Sequence, residues 1–229
     1  MAIHSIAQQM LCTALALATA SLTSAAIPVR ITAVINSYPS AAPDGLRLVF
    51  QSNRAGRFRI YTMNTSGGDI RELTHGPEDQ GGASFSPDGA QILFASWRDN
   101  AHGGDCDVYL MNAAGTHTRR LTNDGTDNSH PHWSADGSRI IFNSSRTTPI
   151  ADRKSPAKER DDIFSIKTDG SDLKQLTHCD AICTYAHYAP DMKRIVYRKV
   201  TNSPGLNWDL SEARATLKFS SPMPMAPMR

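Results

Sequence analysis

One line of sequence recurs four times along this chain and limits its fold more than any other feature. The copies read AAPDGLRLVFQSNR from Ala41, FSPDGAQILFASWR from Phe85, WSADGSRIIFNSSR from Trp133 and YAPDMKRIVYRKVT from Tyr188. A second line, IYTMNTSGGDIRELTH in its first version, follows the first three copies. Self-similarity at such a period indicates an array of small structural units rather than one irregular domain.

Each unit contains about four strand signals that are separated by turn signals. The first strand ends at an aromatic residue, and an Asp-Gly turn follows, as at 87–89 and 135–137. In such turns aspartate accepts backbone hydrogen bonds and glycine tolerates a positive φ. The second strand is a β-branched run such as Gln91–Ala95, the third begins near Val108, and the fourth ends in Leu-Thr. This pattern predicts the four-stranded blade of a β-propeller.

The predicted fold is therefore all-β, a β-propeller of four-stranded blades. We expect about three complete blades plus partial flanking ones, and an incomplete ring, because propellers close with about 4–8 blades. The predicted organisation is a signal peptide at 1–26, propeller repeats at 27–210 and an aberrant tail at 211–229. Within the repeats, units fall near 41–84, 85–132, 133–187 and, in part, 188–210.

The repeats resemble a known family. The SPDG turn, the I-x-F strand, the SxR end, the YxMNxxG line and the RxLT line are similar to the repeats of TolB-like periplasmic proteins. The resemblance covers roughly residues 41–201, and it implies an exported propeller that binds other proteins. The same repeats also resemble the propeller parts of prolyl-oligopeptidase-type peptidases and of metal-dependent polysaccharide lyases. Fold alone does not separate these functions.

The first residues have the pattern of a secretory signal. Met10 to Leu22 is a short apolar stretch, and small residues follow at Ser24-Ala25-Ala26. The segment before it lacks lysine and arginine, which departs from the usual pattern. We expect export to the periplasm or the exterior and no transmembrane segment, because no apolar run reaches spanning length.

The last residues break the repeat. After Leu210 the chain reads SEARATLKFSSPMPMAPMR, where a third strand and an Asp-Gly turn are due. Read from the third base of each codon, this segment can encode E-I-F-V-A-D-A-D-G-S-D, which is close to D-I-F-S-I-K-T-D-G-S-D from Asp162. We hypothesise a reading-frame shift in a longer propeller protein. The alternative is a genuine, disordered tail that is rich in proline and methionine.

Charge and aromatic content argue against nucleic-acid binding. The net charge is +2, and the sequence lacks the clustered basic surface that nucleic acids require. Phe85, Trp133 and Tyr188 occupy equivalent repeat positions, so we expect them to pack in the core rather than stack on bases.

Three cysteines follow the predicted signal. Cys179 and Cys183 are close enough in sequence to pair in an oxidising compartment, which would leave Cys106 unpaired. An alternative is a zinc site formed by His178, Cys179, Cys183 and His187, since these are zinc ligand types. His178 occupies a repeat position after Leu-Thr, which favours a structural explanation.

Three histidines near the ends of first strands form the candidate metal site. His132 and His187 precede equivalent aromatic residues, and His130, two residues earlier, is expected on the same face as His132 because side chains alternate along a strand. First strands line the central channel of a propeller, so His130, His132 and His187 are candidate ligands for a transition metal. The alternative is a polar lining of a wet channel, and Ser84 in the preceding unit breaks the pattern.

No sequence motif for catalysis is present, and no cofactor is predicted. The chain lacks G-x-S-x-G, H-E-x-x-H and phosphate-binding glycine loops. Asp88, Asp136 and Asp191 recur because the turns require them. The expected function is therefore a non-catalytic, protein-binding or scaffolding propeller that contacts a protein partner through the loops near 97–107 and 147–161.

Overall fold

The computed structural model describes residues 34–99, 105–153, 158 and 160–200, together with the backbone of 216–219. The chain divides into two compact units between Val34 and Ile35, and the architecture below belongs to the second. The signal peptide predicted at 1–26 and most of the tail at 211–229 lie outside the described residues. Over the described ranges, no helix is long and apolar enough to cross a membrane.

The strands form four antiparallel sheets, each built from strands that are consecutive in the chain. The first blade contains β1 (Asn36–Ala41), β2 (Arg47–Ser52), β3 (Arg59–Asn64) and β4 (Arg71–Glu72), and the second contains β5 (Gln80–Phe85), β6 (Gln91–Ser96), β7 (Asp107–Asn112) and β8 (Arg119–Arg120). The third contains β9 (Asn128–Trp133), β10 (Arg139–Ser144), β11 (Asp162–Lys167) and β12 (Lys174–Gln175), and the fourth contains β13 (Ile182–Tyr188), β14 (Ile195–Val200) and β15 (Thr216–Phe219).

This arrangement confirms the predicted propeller, with three complete blades and one partial blade. Consecutive blades pack on one another, and their first strands β1, β5, β9 and β13 are neighbours along the inner side. The ring that the described sheets form is not closed, as expected. Each sheet begins before the copied line of sequence, because the residues that precede this line already form the first strand and pair with the second strand.

Each hydrophobic cluster of the core lies between two blades. Val49 and Ile60 of the first blade meet Ile92 and Phe94 of the second, and all four side chains are fully buried. Because side chains alternate along a strand, Leu93 points the other way and packs with third-blade residues instead. Burial of each such side chain stabilises the fold by about 1.5–3 kcal/mol. The apolar second strands therefore join adjacent blades rather than closing a core within one blade.

The repeated SxR motif covers an aromatic pair within its own blade. In the third blade the Arg146 guanidinium lies over the rings of Phe142 and Phe164, at 5.6 and 4.5 Å from their centroids. Its Nε donates a hydrogen bond of 3.0 Å to Ser144 Oγ. Arg54 and Arg98 make the same contacts in the first and second blades. The motif thus covers the aromatic pair of the second and third strands with a guanidinium in each of the first three blades.

The fourth strands are shorter than the sequence predicted and stop before Leu-Thr. The reason is a threonine side chain that takes over the strand pairing. Thr177 Oγ1 accepts a hydrogen bond of 2.9 Å from the Ile163 backbone N–H, and it donates one of 2.9 Å to Asp162 Oδ1. Thr74 and Thr122 accept from Ile60 and Val108 in the same way. The backbone is thereby released to turn toward the next blade.

Part of the C-terminal segment 211–229 forms a strand with the sequence as it stands. Thr216–Phe219 pairs with β14 as the third strand of the fourth blade, although the repeat motif is absent from this segment of the sequence. An antiparallel pair needs only backbone groups, so a short alternating segment such as Thr-Leu-Lys-Phe can occupy this position without the repeat motif. The Pro/Met-rich residues beyond it lie outside the described part, and the frame-shift hypothesis stays a prediction.

Replacement of Thr177 by valine tests the role of its side-chain hydrogen bond. Thr177→Val leaves the buried Ile163 N–H without its acceptor, so the free energy of unfolding in urea should fall by about 1–3 kcal/mol. Thr65→Val, at an exposed turn position, is the matched control and should change it by less than about 0.5 kcal/mol. Equal stability of the two variants would contradict the assigned role.

Candidate functional site

Every first strand contains a β-bulge at the same place. The pairing with the second strand shifts between Ser37 and Ser40 in β1, and at the equivalent place in β5, β9 and β13. One residue in each bulge has a left-handed backbone; these bulge residues are Tyr38 (φ 53), Gly82 (φ 64), His130 (φ 50) and Tyr185 (φ 54). A bulge interrupts the alternation of side chains along a strand. The inner wall of the propeller therefore does not follow simple alternation.

The bulge changes the argument that placed His130 on the same face as His132. The two histidines have different partners, because the left-handed backbone at His130 changes the direction of its side chain relative to that of His132. The ring of His130 contacts Tyr185, with centroids 3.9 Å apart, whereas His132 contacts His187, with centroids 3.7 Å apart. The structure therefore contains a histidine–tyrosine contact and a separate histidine pair.

Asn143 holds His130 in one tautomer. The Asn143 Nδ2 group donates to Ser129 Oγ and to Asp161 Oδ2, both at 2.9 Å, so its Oδ1 must act as an acceptor. His130 Nδ1 lies 3.0 Å from this oxygen and carries the proton, which leaves Nε2 as an acceptor. Burial lowers the pKa of His130. The ring is thus neutral at pH 7.

Two tyrosines of the first and fourth blades lie near each other at the inner side. Burial, and then the neighbouring Tyr38, raise the pKa of Tyr185. The Arg198 guanidinium lies 4.8 Å from the centroid of the Tyr185 ring. Tyr185 therefore lies close to two other bulge residues, Tyr38 and His130.

His132 and His187 form a neutral pair. Burial, and then the neighbouring His187 and His130, lower the pKa of His132 to about 3. Burial also lowers the pKa of His187. Among the residues that the structure describes, no group of three or more His, Cys, Asp or Glu side chains is placed to hold a metal ion. The site of His130, His132 and His187 therefore stays a prediction from the sequence.

The alternative zinc site is wrong. Cys179 and Cys183 form a disulfide, so neither sulfur is available as a thiolate ligand. This is the pairing that the sequence had left open, and Cys106 is free and fully buried. Burial raises the pKa of the Cys106 thiol, and Asp127, whose Oδ1 lies 3.2 Å from Sγ, raises it further.

A pocket of about 390 Å³ opens at the end of the channel where second strands lead into third strands. Three bulges border it, and Gln51, Ala95, Gly81 and Pro131 complete the inner wall. Its outer part consists of Phe58, Glu78, Asp79 and Trp97. The lining therefore combines aromatic rings, two carboxylates and backbone groups, which is the usual composition of a binding site.

Gln80 lines this pocket with an unsatisfied amide oxygen. The side chain is fully buried, its Nε2 donates to the His75 carbonyl at 3.3 Å, and its Oε1 has no hydrogen-bond partner among the described residues. In the first and third blades this strand position is asparagine. Asn36 Oδ1 accepts from Arg54 at 3.1 Å, and Asn128 Oδ1 accepts from Arg146 at 2.8 Å. Among the described blades that carry an amide here, only the second leaves this oxygen without a partner, and the oxygen is shielded from solvent.

The same strand position also joins successive blades. Asn128 Nδ2 donates to Asp124 Oδ1 at 2.8 Å, which fastens the connection between the second and third blades. In the fourth blade Cys183 occupies the place of Asn128, and Cys179 occupies that of Asp124. The disulfide therefore replaces a hydrogen bond that performs the same task one blade earlier.

The residues that the sequence predicted to pack in the core or to fix turns do make such contacts. Phe85 belongs to the core, and Trp133 packs against the next cluster while its Nε1 donates to the Ser84 carbonyl at 3.3 Å. Tyr188 donates a 2.6 Å hydrogen bond to Ser165. Asp88 accepts from the Ala90 N–H and from Ser86 Oγ, so it fixes its turn as predicted.

Tyr38 and Gln80 of the pocket were not predicted as site residues. Tyr38 lies before the first copied line, and Gln80 begins a first strand at a position that also precedes the copied line, so neither belongs to the repeated motif. Alignment of the four first strands would have shown that Tyr38, Gly82, His130 and Tyr185 share one position. The bulge itself left no turn signal except Gly82.

A ring of consecutive four-stranded sheets whose bulged first strands surround a channel is a β-propeller. The model of the TolB beta propeller domain family matches residues 19–153. The chain belongs to this family, as its repeats had indicated.

Solved structures agree with this assignment. A TolB protein of Agrobacterium tumefaciens has 26% identity and a TM-score of 0.62, with 74% of this chain and 56% of that chain covered. TolB from Acinetobacter baumannii has 22% identity and a TM-score of 0.62, with 81% and 41% covered. An oligogalacturonate lyase in complex with manganese shares the fold at 16% identity and a TM-score of 0.55, with 74% and 48% covered. The chain thus spans about half the length of the TolB structures it matches.

The histidine pair predicts a pH-dependent stability. The folded state keeps His132 neutral while the unfolded state takes up a proton below a pKa of about 6.5, so the unfolding free energy should fall as the pH is lowered from 7 toward 5. The slope contributed by this residue is up to about 1.4 kcal/mol per pH unit. His132→Gln should flatten the dependence measured by urea unfolding, and the exposed-site control His178→Gln should not. A parental slope in His132→Gln would contradict the prediction.

Proposed function

We propose that this chain is an exported, non-catalytic propeller that binds a segment of a partner protein at the loop end of its channel. The observation that carries the proposal is the pocket formed by three inner bulges and the loops beside them. Its volume of about 390 Å³ suits a few side chains of an extended segment. Its aromatic residues offer apolar contact, and its polar atoms offer orientation.

The loops that were expected to contact a partner support this location. Trp97 begins the first of them and lines the pocket. In the second loop, Thr148 Oγ1 donates to the Arg160 carbonyl at 2.6 Å and accepts from the Arg160 N–H at 2.9 Å. Ile150, close to this anchor, is 81% exposed. An apolar side chain held at the surface by an anchored loop is suited to contact with a protein.

The disulfide supports export. Cys179–Cys183 is a bond that forms and persists in oxidising compartments and is rare in reducing ones. Together with the signal-like first residues, it favours a periplasmic or secreted location.

Selection of peptides on the purified chain tests the proposal. Peptides enriched from a random display library should bind at the pocket, so Tyr38→Ala should weaken them about tenfold or more. Leu46→Ala is the matched control, because Leu46 is a large exposed side chain at the opposite end of the first blade. Fluorescence anisotropy with labelled peptides gives the affinities. Unchanged affinity in Tyr38→Ala, or no enriched peptide, would refute peptide binding at this pocket.

A metal-dependent role is the second candidate, and the neutral His132–His187 pair is the observation that favours it. A lyase of this fold contains manganese. The fit is incomplete here, because the His130 ring contacts Tyr185 rather than the pair, and no group of three such ligands is placed to hold a metal among the described residues. No reaction step is therefore derived from a metal.

Calorimetric titration with Mn²⁺ and Zn²⁺ tests this second candidate. Binding that is lost in the double variant His132→Ala, His187→Ala, but kept in His178→Ala, would support a metal site. Absence of binding to the parental chain would remove the candidate.

A further inference from the structure

We propose that the Cys179–Cys183 disulfide is a reducible link between the third and fourth blades, and that a dithiol reductant releases the fourth blade while the preceding blades stay folded. This inference goes beyond the binding function proposed above and does not depend on it. It rests on the position of the two cysteines, on the contacts that remain at this junction without the bond, and on the accessibility of Cys179.

The disulfide joins a residue that is fixed on the third blade to a strand of the fourth. The Cys179 N–H donates a hydrogen bond of 2.6 Å to Oδ1 of Asp162, which begins β11. Cys183 lies in β13, and its side chain is fully buried. Because the two cysteines have a sequence separation of only 4, the bond constrains the unfolded chain less than one that closes a long loop. It therefore acts mainly on the attachment of β13.

A polar network fastens the equivalent junction one blade earlier. Asn128 Nδ2 donates to Asp124 Oδ1 at 2.8 Å and to Asp107 Oδ1 of the second blade at 3.2 Å. Its Oδ1 accepts from Arg146 at 2.8 Å, and Arg146 forms an ion pair with Asp124 at 3.0 Å. Hydrogen bonds to charged groups are the strong ones, so this junction is held without a covalent bond.

The fourth blade has different side chains at these positions. Cys183, Cys179 and Thr201 stand where the third blade has the asparagine, the aspartate and the arginine of this network. Thiols are weak donors and acceptors, and a threonine side chain cannot form an ion pair. Reduction of the disulfide therefore leaves these positions without the interactions that fasten the earlier junction.

Neutral hydrogen bonds and aliphatic packing hold the rest of this junction. Thr184 donates to Asn143 Oδ1 at 2.9 Å, and Tyr188 donates to Ser165 Oγ at 2.6 Å. The buried part of the cluster between these blades is aliphatic apart from one sulfur, and its members are Ile141, Ile163, Cys183, Ala186 and Ile195. The buried parts of the two earlier clusters also contain phenylalanine rings. The reduced fourth blade is thus attached less firmly than the others.

The chemistry of release is thiol–disulfide exchange at Cys179. This residue is half-buried between exposed His178 and Asp180, whereas Cys183 is fully buried. A thiolate of the reductant attacks the Cys179 sulfur, the bond to Cys183 breaks, and Cys183 leaves as a thiolate that takes up a proton. The second thiolate of the reductant then attacks the mixed disulfide. Cys179 leaves as a thiolate and takes up a proton, and the dithiol is oxidised to a cyclic disulfide.

Release of the fourth blade changes the wall of the channel. β13 contains Tyr185 and His187, whose rings contact His130 and His132 of the third blade. Both ring contacts are lost when β13 separates from its neighbour. The redox state of one disulfide is thereby coupled to the inner surface of the propeller.

Alkylation of two equally buried cysteines tests the link. The full chain is treated with dithiothreitol in native buffer and then with iodoacetamide, and peptide mass spectrometry follows Cys183 and Cys106, which are both fully buried. Each rate is divided by the rate of the same cysteine in urea. Cys183 should then be labelled about tenfold faster than Cys106, because only the fourth blade opens. Equal corrected rates would overturn the inference, since either packing alone holds the blade or the whole chain unfolds.

Hydrogen exchange in two variants separates loss of the bond from other effects of the reductant. Cys179→Ala breaks the bond and leaves Cys183 as a thiol, so exchange of the amides at 183–188 should be about tenfold faster than in the oxidised parental chain, with or without dithiothreitol. Exchange at 107–112 in the second blade should not change. Cys106→Ala removes a buried thiol that forms no disulfide and should keep the parental response to dithiothreitol. Parental exchange at 183–188 in Cys179→Ala would overturn the inference.

Discussion

Packing of each sheet between two others is the interaction on which the rest of this structure depends. A four-stranded sheet of this size has two apolar faces, as β6 shows with Ile92 on one side and Leu93 on the other. Neither face can be buried within the blade. Stability therefore comes from neighbours, as in other repeat proteins. The Arg–aromatic lids and the threonine-capped fourth strands serve this packing, because they complete each sheet without adding residues that would separate the blades.

The connections between blades show how one structural task is met by different chemistry. At the start of successive first strands the chain uses the amide of Gln80, the amide of Asn128 and the sulfur of Cys183. The geometry is shared, but the bonds range from a single backbone contact to a covalent link. The blades are consequently held together with unequal strength. The weakest of these links is that of Gln80, whose amide oxygen has no partner among the described residues.

The sequence predicted the repeated parts of the fold and little of the site. Strands, Asp-Gly turns and aromatic core positions recur in register, so each copy supported the others, and residues such as Phe85 and Asp88 were assigned correctly. The bulges escaped detection because a left-handed residue such as Tyr38 or His130 carries no turn signal. Alternation then placed His130 with His132, although its contacts are with Asn143 and Tyr185. Most residues of the pocket lie at strand positions whose side chains differ from one repeat to the next, and the others lie in connections.

The bulges have a further consequence for how such a channel can change. At the bulge each inner strand departs from the pleat, so the residue there is freed from the pattern that ties its neighbours to the core. The four blades use tyrosine, glycine, histidine and tyrosine at this point without any change in sheet order. Exchange of one amino acid per blade can therefore change the side chains that line the channel while the sheets stay the same. One architecture can thus carry many different channel linings.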